Sequence, residues 1–354
     1  MNRRRGRNLF LVWVPVLALF FISWADFARA ALSNPVSKET VPLRIFYYRE
    51  GKKARDSFFS NHKSIDVLAP QAYGVTRDGL LEGSVNEDIL KFTRANGIKV
   101  MPLLVNKSFS TTTAARFLNN ASMQDGLIDI LIREARSKGY WGWQLDFEQM
   151  DAFLFRDSYS YFVERAYRAF KNQGLVLSVA VVAQNSPDPK FYPRNLWQRV
   201  IGVYDYGALA KNSDFISIMT YDDPFSKGPV SGLPWVKGVL SYALNYIPPD
   251  KISLGVPFYY WEWDDARQKL IEIGGYRGML ETVSALKKVE KSFSPKEQVA
   301  FMRYKRNGRS FTLWHENEKS MREKIKLVGQ YGLHGFSAWA LGLENPEVYK
   351  AFSR

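Results

Sequence analysis

Apolar runs alternate with amphipathic segments along the chain from residue 44 onward. Eight runs rich in β-branched and aromatic residues predict strands at residues 44–48, 65–70, 98–105, 142–148, 176–182, 215–221, 252–257 and 335–340. Apolar residues at helical spacing predict helices between them, within residues 88–95, 114–138, 158–171, 234–246 and 319–331. Several of these helices are followed by the Gly that is expected after a helix end, at Gly97, Gly139, Gly174 and Gly332.

Strands separated by helices indicate parallel pairing, and eight of them predict an α/β fold, the closed (β/α)8 TIM barrel. Continuous apolar runs suit strands that are buried on both faces. The doubly wound open sheet is the competing α/β architecture, but it normally carries a Gly-rich phosphate loop after its first strand. Residues 49–53, REGKK, do not form such a loop, so the sequence favours the barrel.

The connection between the seventh and eighth predicted strands is unusually long. Within it, the apolar runs 299–304 and 309–314 flank an Asn-Gly pair, Asn307-Gly308. Asn-Gly between such runs is a strong hairpin signal. We therefore predict a small α+β lobe at about residues 264–317, inserted beside the mouth of a barrel unit that spans residues 41–354.

The first thirty residues have the pattern of an export signal. Four arginines precede the apolar run Leu9 to Trp24, and Ala28-Arg29-Ala30 supplies small residues for cleavage. An uncleaved N-terminal anchor is the alternative, because the apolar run is only slightly short for a membrane span. We predict a signal peptide or anchor at 1–30, a linker at 31–40, and export to the periplasm, the cell wall or the medium.

Charge and residue types narrow the function classes. The formal net charge is +14, and without the five Arg and one Asp of residues 1–30 the rest keeps +10. Such a protein is attracted to anionic cell-wall polymers or membrane surfaces. Nucleic-acid binding is disfavoured because the chain begins with an export signal and contains no nucleic-acid-binding motif. No cysteine is present, and the three histidines lack metal-ligand spacing, so we expect no metal and no cofactor.

The fourth predicted strand carries a polar row. Alternate side chains of a strand face the same side, so Gln144, Asp146 and Glu148 would face the barrel interior. Trp143 and the other apolar residues that alternate with this polar row would face the helices. Buried polar side chains cost free energy unless they are paired or functional, and active sites lie at the carboxyl ends of barrel strands. A chance Asp-x-Glu pair at a strand end is the alternative interpretation.

These residues also resemble a known family. The segment 142–148, GWQLDFE, is similar to the D-G-x-D-x-D-x-E strand of the family-18 glycoside hydrolases, the chitinase-like enzymes. Residues 219–222, MTYD, resemble that family's M-x-Y-D, Trp339 stands at its floor tryptophan, and 314–316, WHE, resembles its W-F-E/D. Residues 69–73, APQAY, and the segments that follow are most similar to the bacterial branch of spore-cortex-lytic and germination-type hydrolases.

The resemblance implies substrate-assisted hydrolysis, in which the substrate's 2-acetamido oxygen attacks the anomeric carbon. It implies catalytic roles for three residues: Glu148 as general acid and base, Asp146 as the group that orients the acetamide, and Tyr221 as its hydrogen-bond donor. The expected substrate-binding residues are Gln144, Met219, Asp222, Trp339, Tyr73, Gln71 and Trp261. For Trp261, core packing is an equal alternative.

The implied partner is a polysaccharide, either peptidoglycan or chitin oligomers, and we expect a monomer. A catalytically silent glycan-binding protein on the same barrel is the alternative, although both acidic residues are retained. Two positions depart from the family signature: Trp141 replaces its first Asp and Gln144 replaces its middle Asp. Gln144 cannot share a negative charge with Asp146, so we expect a narrower pH range or slower turnover.

Overall fold

A computed structural model describes residues 41–352. The predicted signal peptide or anchor and the linker lie outside these residues. Fifteen strands lie within the described range: β1 (Leu43–Tyr48), β2 (Val67–Val75), β3 (Leu81–Gly83), β4 (Lys99–Val100), β5 (Leu103–Asn106), β6 (Gly142–Asp146), β7 (Val176–Val182), β8 (Phe215–Met219), β9 (Ile252–Pro257), β10 (Tyr259–Asp264), β11 (Lys269–Gly275), β12 (Val289–Ser294), β13 (Val299–Arg306), β14 (Arg309–His315) and β15 (Gly335–Trp339).

The helices of the described residues are α1 (Lys52–Asn61), α2 (Glu87–Ala95), α3 (Thr111–Leu118), α4 (Ala121–Lys138), α5 (Ala152–Lys171), α6 (Arg194–Leu196), α7 (Tyr206–Lys211), α8 (Leu233–Ala243), α9 (Tyr276–Ser284) and α10 (Glu318–Tyr331). A π-helical turn, Trp197–Ile201, continues α6. Short 3-10 turns lie at His62–Ser64, Lys107–Phe109, Pro189–Phe191, Pro249–Lys251 and Pro346–Ala351. None of the described helices is long and apolar enough to cross a membrane.

The barrel closes through parallel strands only. Its strands follow the order β1, β15, β9, β8, β7, β6, β5 and β2, and β2 pairs again with β1. The predicted (β/α)8 TIM barrel is therefore confirmed. The third predicted strand is interrupted at Met101-Pro102 and forms β4 and β5, because Pro102 has no amide hydrogen for the ladder.

The two faces of β6 are sorted as predicted. Trp143, Leu145 and Phe147 belong to the large apolar cluster between the barrel and its helices. Gln144 lies in the barrel interior, where its amide nitrogen donates to the hydroxyls of Ser178 and Ser217, at 2.9 Å each. The alternation of side chains in a strand accounts for both placements.

The single helix predicted within 114–138 is two helices, α3 and α4. Asn119 ends the first helix, and Asn120 begins the second, because its side-chain oxygen accepts a hydrogen bond from the amide of Met123 at 3.0 Å. Asn is among the best N-cap residues, and a new N-cap requires non-helical backbone at that point. Gly139 and Gly332 end α4 and α10 in the left-handed conformation, as expected of helix-ending glycines.

The insertion between β9 and β15 is an antiparallel sheet of five strands in the order β11, β10, β14, β13 and β12, with α9 beside it. Asn307 and Gly308 both have positive φ, 50° and 75°, and join β13 to β14 as the predicted two-residue hairpin turn. The sheet starts at Tyr259, earlier than the predicted residue 264. The early start arises because β10 begins almost directly after β9 ends, with no turn residue between the two strands.

Candidate active site

A cavity of about 320 Å³ opens at the carboxyl ends of the barrel strands. Six of the predicted site residues line it: Asp146, Glu148, Met219, Tyr221, Asp222 and Trp339. They come from the ends of β6, β8 and β15, so sequence-distant strands bring them together. Active sites of such barrels are found at this end because the strand-to-helix loops converge there.

The backbone around Glu148 is fixed by its neighbours. Asn106, the last residue of β5, accepts a hydrogen bond from the Glu148 amide and donates one to the Glu148 carbonyl, each at 2.9 Å. The Tyr204 hydroxyl donates to the carbonyl of Phe147 at 2.8 Å. The next residue, Gln149, has a φ of 56°, which turns the chain away from the cavity. The Glu148 side chain is therefore held at the mouth by a rigid frame.

The three carboxylates of the cavity all have raised pKa values. Burial raises the pKa of Glu148 to about 7, and the negative charge of Asp222 adds to this. Burial raises the pKa of Asp146 well above its ordinary value, and the charge of Glu148 raises it further. Among the described residues that line the cavity, none is Lys, Arg or His. With no cation to stabilise two anions, the pair of Asp146 and Glu148 retains a proton near neutral pH.

Asp222 and Tyr221 follow β8 at the edge of the cavity. The Tyr259 hydroxyl donates to Asp222 Oδ1 at 2.6 Å, which opposes the rise that burial causes in the pKa of Asp222. Tyr221 is buried, and burial raises the pKa of its hydroxyl well above the usual range. It therefore stays protonated and available as a hydrogen-bond donor.

An apolar surface surrounds the carboxylates. Trp339 lies against Tyr47 from β1, with the two ring centres 5.2 Å apart. Leu196, Val200 and Ile201 of the segment after β7 form part of the wall, together with Trp235. Apolar walls with a few convergent polar groups are typical of small-molecule and sugar sites.

Gln144 does not reach the cavity. Its side chain is fully buried in the barrel interior and is held there by Ser178 and Ser217. This corrects the prediction that Gln144 contacts the substrate. The strand alternation correctly gives its direction, but the residue lies one layer deeper than Asp146.

Tyr73 is also absent from the cavity. Its hydroxyl donates to Glu134 Oε1 at 2.7 Å and lies 2.8 Å from that of Tyr140, on the helix-facing side of β2. The cause is a bulge: the pairing of β2 with β5 shifts register between Gln71 and Tyr73. A bulge inserts one residue and reverses which side the following residues face. The prediction that Tyr73 contacts sugar is therefore corrected.

Gln71 and Trp261 lie next to the site without lining its cavity. The Gln71 side chain hydrogen-bonds Asp146 and thereby opposes the rise in that carboxyl's pKa. Trp261 is buried in a cluster with Tyr221 and Tyr259, so it packs behind the site. For Trp261, the structure favours the core-packing interpretation.

Sequence reasoning missed Asn106, Tyr47 and Trp235. Asn106 directly follows the third predicted strand, and a polar residue at a strand's carboxyl end was a usable signal. Tyr47 had the same signal at the end of the first strand. Trp235 lies within α8, and helical periodicity gives no indication that its ring reaches the cavity.

Comparison with known proteins matches residues 58–344 to glycosyl hydrolases family 18. The chain is similar to an uncharacterized glycosylase, YvbX, of Bacillus subtilis (strain 168), at 25% identity over 308 residues, covering 84% of this chain and 87% of that protein. It is similar to the cortical fragment-lytic enzyme of the same organism, at 25% identity over 302 residues, covering 82% and 67%.

Many solved structures share this fold, and two of them serve as examples. The spore cortex-lytic enzyme SleL of Bacillus megaterium QM B1551 matches with a TM-score of 0.76 and 24% identity, covering 88% of this chain and 73% of that one. The chitinase of Chromobacterium violaceum ATCC 12472 matches with a TM-score of 0.77 and 24% identity, covering 88% and 98%.

Proposed function

Because the chain belongs to glycosyl hydrolases family 18 and is a glycosidase, we propose that it is an exported enzyme that cleaves N-acetylglucosamine-containing glycans of the peptidoglycan or chitin type. The observation that carries this proposal is the carboxylate arrangement of the cavity. Glu148 reaches the mouth, has a pKa raised to about 7, and stands beside an almost fully buried Asp146. A carboxyl group with such a pKa is suited to donate and then recover a proton at neutral pH.

In the proposed mechanism, Glu148 protonates the glycosidic oxygen. The 2-acetamido carbonyl oxygen of the substrate attacks the anomeric carbon, and the leaving group departs with the proton from Glu148. Water, deprotonated by Glu148, then attacks the same carbon and restores the acetamide. The two displacements retain the anomeric configuration.

Asp146 and Tyr221 would act on the acetamide. Asp146 accepts a hydrogen bond from the amide N–H and compensates the positive charge that develops on the ring formed by acetamide attack. The Tyr221 hydroxyl, which stays protonated, donates to the acetamide oxygen and orients it. Both side chains come from one end of the barrel, and neither requires a second carboxylate on the opposite face of the sugar.

The remaining cavity residues would bind the sugar. Trp339 offers an apolar floor, since aromatic faces pack well against the C–H faces of sugar rings. Met219 and Asp222 flank it, and the hydroxyl of Tyr259 holds Asp222 in place. We further propose that export is directed by residues 1–30 and that the enzyme acts as a monomer.

The decisive experiment compares an N-acetylated chitin tetramer with the fully de-N-acetylated tetramer and measures release of reducing ends. We expect release from the first only, because the second has no acetamide nucleophile. Insoluble peptidoglycan is assayed in parallel to find which glycan is preferred. Equal rates on the two tetramers would refute substrate assistance. Binding of either glycan with no release from any would favour the silent glycan-binding alternative.

A further inference from the structure

A second cavity lies at the opposite end of the barrel, where the strands begin. Its volume is about 300 Å³, and it lies between the ends of α2 and α4. Three of its lining side chains are cationic, and none is acidic: the cations are Arg94, Lys99 and Lys138. The catalytic cavity shows the reverse, with three carboxylates and no cation.

Trp141 forms one wall of this second cavity, and an aromatic stack lies behind it. Trp141, which directly precedes β6, is partly exposed and stacks on Phe215 with ring centres 6.3 Å apart. Phe215 in turn stacks on His334 at 4.5 Å. The ammonium of Lys99 lies 4.4 Å from the centre of the Trp141 ring, on which it makes a cation–π contact. Trp141 is also the residue that stands where the family signature has its first Asp.

The cations are only partly neutralised. Arg94 pairs with Glu87 at 2.6 Å, but both side chains are about half exposed, at 52% and 50%, so the pair is weak. Within residues 41–352, neither Lys99 nor Lys138 has a carboxylate within ion-pair distance. The hydrogen bond from Arg94 lowers the pKa of Glu87, however, and the charge of Lys138 contributes to lowering it. Arg94 and Lys138 lie in the last turns of their helices, where the helix dipole favours cations. The helix dipole therefore stabilises these two cations without neutralising them, so their charges remain available to a ligand.

We propose that this second cavity is a non-catalytic binding site for an acidic sugar unit of a wall glycan, one that bears a carboxylate or a phosphate. The cations would pair with the anionic group, and the sugar ring would pack on Trp141 as the flexible Lys99 side chain moves aside. This inference rests on the proposed glycan substrate. Because the two cavities open at opposite ends of the barrel, one enzyme molecule can hold a wall strand at one end while cleaving another.

Such a site would raise the local concentration of polymer at the catalytic mouth without contributing to catalysis. Attachment at a second site makes the productive encounter effectively intramolecular. Its loss should therefore weaken action on insoluble acidic polymer and leave action on short neutral oligomers unchanged. It also gives a role to three of the cations behind the net charge of +10 that residues 31–354 carry.

The test compares Lys99→Ala/Lys138→Ala with Lys287→Ala/Lys288→Ala, a matched pair of exposed lysines in the inserted lobe. Sedimentation with insoluble peptidoglycan, freed of attached phosphate polymers or retaining them, measures binding. We expect Kd to rise about tenfold for the first double variant, since two exposed ion pairs are lost. The control variant should bind as the wild type does. The initial rate on the soluble chitin tetramer should be unchanged for both.

The polymer arms identify the anion and can overturn the proposal. Loss of binding on both peptidoglycan samples points to carboxylates, and loss only on the phosphate-bearing sample points to phosphate. An equal loss of binding by both double variants would show that binding depends on net charge and not on this cavity. Phosphatidylglycerol vesicles and neutral insoluble chitin are tested in the same way. Unchanged binding of the Lys99→Ala/Lys138→Ala variant to both peptidoglycan samples, or a loss confined to the vesicles or the neutral chitin, would refute the site. If the wild type binds through these lysines yet cleaves no glycan, the proposed function fails and this inference stands.

Discussion

Two regions of this protein carry groups of carboxylates, and the surroundings of the two groups are opposite. At the barrel mouth, Asp146, Glu148 and Asp222 line a cavity without any cation among its described residues. In the inserted lobe, Glu262 pairs with Arg306 at 3.0 Å and Asp264 pairs with Arg309. Where the lobe rejoins the barrel, Glu316 pairs with the buried Lys324 at 2.9 Å and accepts a hydrogen bond from Ser320.

The difference separates reactive acids from structural ones. Burial also raises the pKa of Glu262, but its partner Arg306 opposes that rise, and breaking such a pair leaves an uncompensated charge. An unpaired buried carboxylate keeps its proton to higher pH and can exchange it with a ligand. Burial alone therefore does not identify an active-site acid in this chain. The absence of a nearby cation is what distinguishes the mouth.

The largest expected effect is on turnover at the mouth. Glu148→Gln should lower kcat on the chitin tetramer by about 10²- to 10⁴-fold, the range expected for loss of a general acid. Glu262→Gln, which changes a fully buried acid of the lobe, is the control and should keep kcat in the folded protein. Reducing-end assays measure both. A comparable loss of kcat in the control would erase the distinction between the two regions.

The next effect is on stability at the junction. Lys324→Met should lower the free energy of unfolding by about 3–5 kcal/mol, because it leaves Glu316 buried without its cation. Lys324→Met/Glu316→Leu should recover most of this loss, since it removes both charges. Denaturant unfolding measures both variants. If the double variant is as unstable as the single one, packing and not charge pairing stabilises this junction.

The opposite stability effect is expected for Asp146→Asn. The raised pKa of Asp146 means that its ionisation opposes folding once the pH exceeds its unfolded value, about 4. Asn cannot ionise, so the variant should match the wild type near pH 4 and exceed its Tm as the pH rises toward 8. Thermal unfolding across this range measures the difference, while kcat should fall. A Tm below that of the wild type at pH 8 would show that the carboxylate is stabilised by its surroundings.

A smaller effect is expected on the pH profile. With a pKa of about 7 for Glu148, the kcat/KM of the wild type should fall as the pH rises through 7, because the acid loses its proton. Asp222→Asn removes a negative charge that raises this pKa, so the alkaline limb should move to lower pH. The measurement is kcat/KM against pH for both proteins. A shift to higher pH would contradict the assigned charge coupling.

The smallest effect is expected at Tyr73, which the structure removes from the site. Tyr73→Phe should cost about 1 kcal/mol of stability through its lost hydrogen bonds with Glu134 and Tyr140. Its KM for the chitin tetramer should equal that of the wild type. Steady-state kinetics and denaturant unfolding provide the two readouts. A raised KM with unchanged stability would restore Tyr73 to the substrate site.

The sequence determined the barrel and the strand that carries the acids. Apolar runs and helix-ending glycines are local signals, and they place β6 and its alternating faces without knowledge of any contact. The Asn307-Gly308 hairpin was equally local, because the turn type depends on two residues that tolerate positive φ. The family motifs added the ordered set Asp146, Glu148, Tyr221, Asp222 and Trp339, all of which line one cavity.

Only the tertiary structure decided which polar residues reach that cavity. Tyr73 left it because a bulge in β2 arises from pairing with β5, and register is a property of two strands together. Gln144 lies too deep, since depth depends on how strands stagger around the closed barrel. The cations that pair with Glu262 and Asp264 come from distant strands of the chain, the end of β13 and β14. The surroundings that make a carboxyl reactive or structural are long-range, and no local pattern encodes them.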